Sequence, residues 1–219
     1  MQREPRWRPA LAIVIAVILY ERLPPKLTLG PFWLAPVLIG LLLVPLLIGG
    51  DRLPPKLHRV WSITLVAILN FFNIASIILL VDDLVNPHAK IHGTLQAVDL
   101  LRYGALIWAT NVIVFALWFW EIDAGGPLHR MEKRAACDFQ HADFVFPQMS
   151  IPGNPAFVSA DWKPLVLDYV FLAFNNATAF SPADTFPLTR RAKLLVMTEA
   201  LTSLITLAVI AARAINILT

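Results

Sequence analysis

Long runs of apolar residues are the feature that most constrains this chain. Four of them, residues 29–48, 60–81, 100–120 and 194–218, each continue for about twenty residues, which is the length that a helix needs to cross the hydrocarbon layer of a bilayer. Composition agrees, because 58% of the 219 residues are apolar and only 15% are charged, far from the balance of a soluble domain. The sequence therefore predicts an integral membrane protein.

Two further apolar segments complete the predicted fold. Residues 9–20 lack a small-residue cleavage site after them, so we interpret them as an uncleaved first span extending over residues 7–23. Residues 164–179, inside the long polar loop 121–193, are apolar and aromatic but too short to span, which favours a re-entrant or interfacial helix. The predicted fold class is all-α, a polytopic membrane helix bundle with about five transmembrane helices and one short re-entrant, pore-like helix.

The distribution of basic residues favours one orientation of this bundle. With five spans, 13 of the 18 Lys and Arg residues fall on the side that holds the N-terminus and the long loop. Basic loops are retained in the cytoplasm, so this count favours a cytoplasmic N-terminus and long loop. Most of the excess comes from the long loop, for which the rule is weakest.

The C-terminal half resembles the pore domain of the potassium-channel superfamily. The shared pattern is an apolar segment, a loop that ends in Asp184, a Pro-x-Thr turn beginning at Pro187 and a final helix. The resemblance divides the chain into a three-span N-terminal region, residues 1–99, and a pore-domain-like region, residues 100–219. It also implies a homotetramer with the last helix along the axis, and places the constriction at Ala179, Phe180, Ser181, Pro182, Ala183 and Asp184.

The constriction departs from a potassium filter in its chemistry. Such a filter needs glycines, so that backbone carbonyls can point into the pore and replace the hydration shell of the ion. Of the six residues only Asp184 matches the filter signature, while Phe180 is bulky and Pro182 has a locked φ. The sequence predicts a pore without potassium selectivity.

Polar residues recur along one face of the last predicted helix. A charged residue inside a span usually faces a cavity or a partner, so these residues are candidates to line the pore. The alternative is that they hold helices together by interhelical hydrogen bonds, an interpretation that also applies to Asn70, Asn73 and Asn111 in the preceding spans. The candidates are Glu199, Thr202, Ser203, Thr206 and Arg213.

A second resemblance is to a family of uncharacterised bacterial membrane proteins. It rests on Trp-x-x-Asp-x-Gly-Gly-Pro at residues 120–127, Asp-Phe-x-Phe-Pro-Gln at residues 143–148 and Ala-Phe-Ser-Pro-x-Asp at residues 179–184. It implies a bacterial plasma membrane protein and brings no known activity.

These observations favour an ion-channel-like protein that is not an enzyme and whose partners are membrane lipids and its own copies. No cofactor motif is present, and the short basic clusters lack the interleaved aromatic residues of a nucleic-acid-binding surface. The single cysteine, Cys137, cannot form an internal disulfide, and we interpret His88, His92 and His141 as loop residues. Two alternatives stay open: a non-conducting scaffold or accessory subunit, and a small-substrate transporter or membrane enzyme that uses the polar loop.

Overall fold

A computed structural model describes residues 7–48, 54–85, 97–127, 129–130, 142–150, 162–178 and 184–218. Nearly all of them are helical, which confirms the predicted helical character. The helices are α1 Trp7–Glu21, α2 Leu34–Ile48, α3 Pro55–Val85, α4 Ala97–Ile122, α5 Pro147–Ser150, α6 Val166–Thr178 and α7 Arg190–Leu218. Two short 3-10 turns, Pro25–Leu27 and Asp123–Gly125, follow α1 and α4, and two two-residue strands, β1 Phe144–Val145 and β2 Phe186–Pro187, pair antiparallel.

Within the described ranges, three helices are long and apolar enough to cross a membrane, namely those at Lys56–Val85, Val98–Gly125 and Arg190–Ala212. These correspond to α3, α4 and α7, so the corresponding sequence runs are confirmed as candidate spans. At 15 residues each, α1 and α2 are shorter than the roughly twenty residues of a full crossing. A count of five spans therefore stays a prediction.

The second predicted span was placed too early. It was expected from residue 29, but α2 begins at Leu34. Gly30 adopts a φ of +74°, and the N–H of Leu34 donates to the carbonyl of Pro31 at 2.9 Å, so a turn occupies these residues. Apolar composition alone could not distinguish this turn from the helix that follows it.

Helix α4 is the centre of the bundle. It packs against α1, α3, α6 and α7. Of its most apolar 18-residue segment 61% is buried, whereas the corresponding share for α7 is 22%. It therefore contacts helices of both predicted regions, while α7 keeps most of its surface on the outside of the chain.

The end of α4 and the start of α7 lie at the same end of the bundle, which we call the loop end. Asp123, just after α4, accepts a hydrogen bond from Tyr169 near the start of α6, and Arg191 at the start of α7 pairs with Asp143. From the loop end α6 runs along α4, until the carbonyl of Ala177 accepts a 3.5 Å hydrogen bond from the indole of Trp108. Trp108 precedes Asp123 by fifteen residues, or about 20 Å of helix. The chain is back at the loop end at β2, which pairs with β1.

Candidate functional site

Glu199 is a carboxylate buried in the middle of α7. Its side chain is 0% exposed, although α7 is the most peripheral of the long helices. Its Oε2 accepts a 3.3 Å hydrogen bond from the amide of Asn176 in the last turn of α6. Its Oε1 is also buried and has no hydrogen-bond partner among the residues that the structure describes. A carboxylate with a free oxygen at this depth is a candidate site for a cation or a proton.

A line of polar side chains continues from this carboxylate across the bundle. The amide of Asn111 on α4 donates to the hydroxyls of Ser203 at 2.9 Å and Thr202 at 3.1 Å on α7. In turn, the carbonyl oxygen of Asn111 accepts a 2.8 Å hydrogen bond from the amide of Asn73 on α3. We call this line the polar seam; its members are Asn73, Asn111, Asn176, Glu199, Thr202 and Ser203.

Helical periodicity gives α7 one buried polar face, which includes two members of the seam. Glu199, Ser203 and Thr206 recur at spacings of four and three residues, which puts them on one face, and each is 0% exposed. The opposite face is apolar and exposed, at Leu194, Met197, Leu201, Leu204 and Ile205.

The polar face of α7 therefore points into its own chain. This burial favours the alternative interpretation of these residues, in which they join helices by hydrogen bonds. Their role in lining a pore between copies stays a prediction. Arg213 lies on α7, but its side chain is outside the described part of the chain.

Of the predicted constriction, only Asp184 falls within the described residues. It is exposed at the loop end, just before β2, whereas Glu199 lies more than two turns into α7. The structure therefore does not bring Asp184 into the polar seam. Residues 179–183 lie outside the described ranges.

A second polar cluster closes the loop end, and sequence reasoning gave its residues no such role. Asp143 is 0% exposed, and its carboxylate accepts hydrogen bonds from both Nε and Nη2 of Arg191, at 2.6 and 2.5 Å. The hydroxyl of Thr189 donates to the same carboxylate, and so does the backbone N–H of Ala124, at 3.1 Å. A bidentate Arg–carboxylate pair of this kind is among the stronger polar contacts in proteins.

Asp123 ties the same cluster to α6. Its carboxylate accepts hydrogen bonds from the backbone N–H groups of Asp143 and Phe144, at 2.9 and 3.2 Å, and from the Tyr169 hydroxyl, at 2.6 Å. Arg130 donates to the carbonyl oxygen of Asp123 at 2.8 Å, and its guanidinium lies 5.4 Å from the centre of the Tyr169 ring. The cluster thereby positions the starts of α6 and α7 relative to the end of α4.

The motifs at residues 120–127 and 143–148 were visible in the sequence, as was the Pro-x-Thr turn. Their contact was not, because Asp143 and Arg191 are 48 positions apart. An aspartate next to aromatic residues in an otherwise polar loop is the one local sign that it is buried.

No group of three or more His, Cys, Asp or Glu side chains within the described ranges is arranged to hold a metal ion. His88, His92 and His141 lie outside those ranges.

Comparison with protein families, curated proteins and solved structures finds no match to this chain. Both resemblances noted in the sequence stay predictions.

Proposed function

We propose that this chain is an ion-channel-like integral membrane protein of a bacterial plasma membrane, with five membrane crossings and α6 as a re-entrant helix. Three long apolar helices support membrane insertion. The shorter helices α1 and α2 form an antiparallel pair beside them. The loop between α1 and α2 lies next to the second half of α3, where the hydroxyl of Ser76 donates to the carbonyl of Leu27 at 2.7 Å.

The path of α6 supports the re-entrant assignment. It starts beside Asp123 at the loop end and finishes beside Trp108, about 20 Å further along α4. Five residues lie between Thr178 and Asp184, and the six steps that join the two reach about 20 Å in an extended chain. The chain can thus descend to mid-bundle depth and return to the side from which it came.

The single observation that carries the proposal is that α6 ends beside Glu199, whose Oε1 lacks a partner among the described residues. The C-terminus of a helix carries about half a negative charge from its unpaired carbonyls. Together with the carboxylate it favours a cation or a proton and disfavours anions. Since the polar seam lies within one chain, the proposed path runs between α4, α6 and α7 of a single copy. The absence of glycine from the sequence of residues 179–184 predicts that it has no potassium selectivity.

Ion flux measured on purified protein in liposomes tests this function. We expect proton or monovalent cation flux that Glu199→Gln reduces by at least about ten-fold, which corresponds to about 1.4 kcal/mol of lost cation stabilisation. The control is Glu21→Gln, because Glu21 is an exposed carboxylate at the end of α1. Unchanged flux in folded Glu199→Gln protein, or no flux in the unsubstituted protein under any gradient or voltage, would contradict the proposal.

The second candidate is a non-conducting scaffold or accessory subunit. It is favoured by the exposed apolar face of α7 and by the exposed Phe171 and Phe174 of α6, which another copy could cover. Native mass spectrometry of the purified chain would detect the homo-oligomer, a tetramer by resemblance. A stable oligomer that passes no ions would support this candidate over the first.

A further inference from the structure

A pocket at the loop end lies outside the polar seam and outside the Asp143–Arg191 cluster. It is about 220 Å³ in volume and is formed where α3 begins and α4 ends. We call it the basic pocket; its walls come from Lys56, His58, Arg59, Glu121, the Gly125–Gly126 turn and His129.

The charge of this pocket suits an anion. Two cationic side chains, Lys56 and Arg59, line it together with His58 and His129, against the single carboxylate of Glu121, which is 2% exposed and accepts a 2.7 Å hydrogen bond from Ser62. The guanidinium of Arg59 donates to the carbonyl of Gly125, which holds it at the wall. The first turn of α3 also lines the pocket, and N–H groups at the start of a helix attract anions.

An apolar crevice lies next to the basic pocket. It runs between the first four helices, with Ile13, Leu46, Leu65 and Leu117 among its walls, and has a volume of about 70 Å³. His58 lines both cavities, and Ser62, which lines the crevice, is bonded to Glu121 in the pocket. The basic pocket and the apolar crevice therefore meet at His58.

We propose that these two compartments form a binding site for a lipid with a phosphate headgroup, with the phosphate in the basic pocket and the start of an acyl chain in the crevice. A soluble phosphate would leave the apolar crevice unused, and an uncharged lipid would not balance the excess of positive charge that Lys56 and Arg59 carry over Glu121. The site lies at the ends of two candidate spans, α3 and α4, where headgroups meet helix ends. This inference does not depend on ion conduction.

Native mass spectrometry of the full chain in an uncharged detergent measures the binding directly. The probes are phosphatidylglycerol, phosphatidylcholine and glycerol phosphate. We expect phosphatidylglycerol to bind at least about five-fold more tightly than phosphatidylcholine, the preference that one basic side chain confers at an anionic surface. We expect glycerol phosphate to bind most weakly, because it has no acyl chain.

Two exposed residues of the basic pocket provide variants that should still fold, Lys56→Gln and His129→Gln. Lys56→Gln should lower phosphatidylglycerol affinity by about five-fold, and His129→Gln should lower it by a smaller factor because it removes no lysine or arginine charge. The matched control is Lys26→Gln, since Lys26 lies in the same Pro-Pro-Lys-Leu sequence near the opposite end of α3, where Leu27 contacts Ser76. Equal affinity for the two lipids, or the same loss in Lys26→Gln as in the pocket variants, would overturn the proposal.

A variant in the crevice separates a lipid from a soluble phosphate. Ala10 of α1 lines the crevice, and Ala10→Phe should fill it. The lipid site predicts a loss of phosphatidylglycerol affinity with glycerol phosphate binding unchanged. If glycerol phosphate binds as tightly as the lipid and Ala10→Phe affects neither, the pocket takes a soluble phosphate and the lipid proposal fails.

Discussion

Arg191 and Asp143 form an ion pair in which only the carboxylate is fully buried. The aspartate is 0% exposed while the arginine side chain is 52% exposed, so the guanidinium remains partly hydrated as it neutralises the buried carboxylate. The pair costs less in desolvation than one in which both charges are buried. It is also reinforced by Thr189 and by the N–H of Ala124, so the carboxylate has few unsatisfied lone pairs.

Replacing Arg191 with lysine tests this pair. Lysine keeps the charge but cannot donate two parallel hydrogen bonds, so we expect Arg191→Lys to lower the free energy of unfolding by about 2 kcal/mol. The measurement is loss of helical circular dichroism during titration with a denaturing detergent.

The adjacent residue is a matched control. Arg190 is exposed at the first position of α7, so Arg190→Lys should change the free energy of unfolding by less than about 0.5 kcal/mol. Equal effects of the two substitutions would show that the bidentate geometry contributes little.

At the scale of elements, α4 and α7 approach closely at Gly104. A Cβ atom on Gly104 would lie 2.6 Å from Cγ1 of Ile210, closer than packed side chains tolerate. We expect Gly104→Ala to lower the free energy of unfolding by about 1–3 kcal/mol, because Ile210 or the helix backbone must move. The same denaturation assay measures this change.

Gly40 in α2 is the control for this substitution. A Cβ atom there would meet nothing within 4 Å, so Gly40→Ala should leave the free energy of unfolding unchanged or raise it by up to about 1 kcal/mol. Ile210→Ala should restore part of the loss in Gly104→Ala, since it removes the clashing atoms. No restoration in the double variant would mean that the two helices pack differently.

At the scale of the whole molecule, the loop end brings together the segments richest in basic residues. The start of α1 borders the same crevice as the start of α3, and α7 begins at the same end. The helix arrangement therefore agrees with the charge count in placing the N-terminus and the long loop on one side. The rule for basic loops then predicts a cytoplasmic loop end.

Cys137, the only cysteine of the chain, gives a direct test of this orientation, although it lies outside the described residues. We expect a membrane-impermeant maleimide to label it only after cells or spheroplasts are permeabilised. The control places a single thiol on the opposite side, as Thr28→Cys in a Cys137→Ser background, and this thiol should react in intact cells. Labelling of Cys137 from outside would reverse the orientation and match that of potassium channels.

Hydropathy along the chain was sufficient to predict a helical membrane protein and to locate the three long helices. It also located α6 to within two residues at its start and one at its end, Val166–Thr178 against the predicted 164–179. These features depend on the composition of contiguous residues, because a helix satisfies its own backbone hydrogen bonds and needs only an apolar surface to enter a bilayer.

Only the tertiary structure decided which way the polar residues point. The sequence placed Glu199, Ser203 and Thr206 on one face of a helix, but a pore axis and the interior of the same chain were equally consistent with that face. The rotation of α7 against α4 determines the outcome, through contacts such as Asn111 to Ser203, which are 92 positions apart. Such contacts depend on packing between helices, and local composition does not encode that rotation.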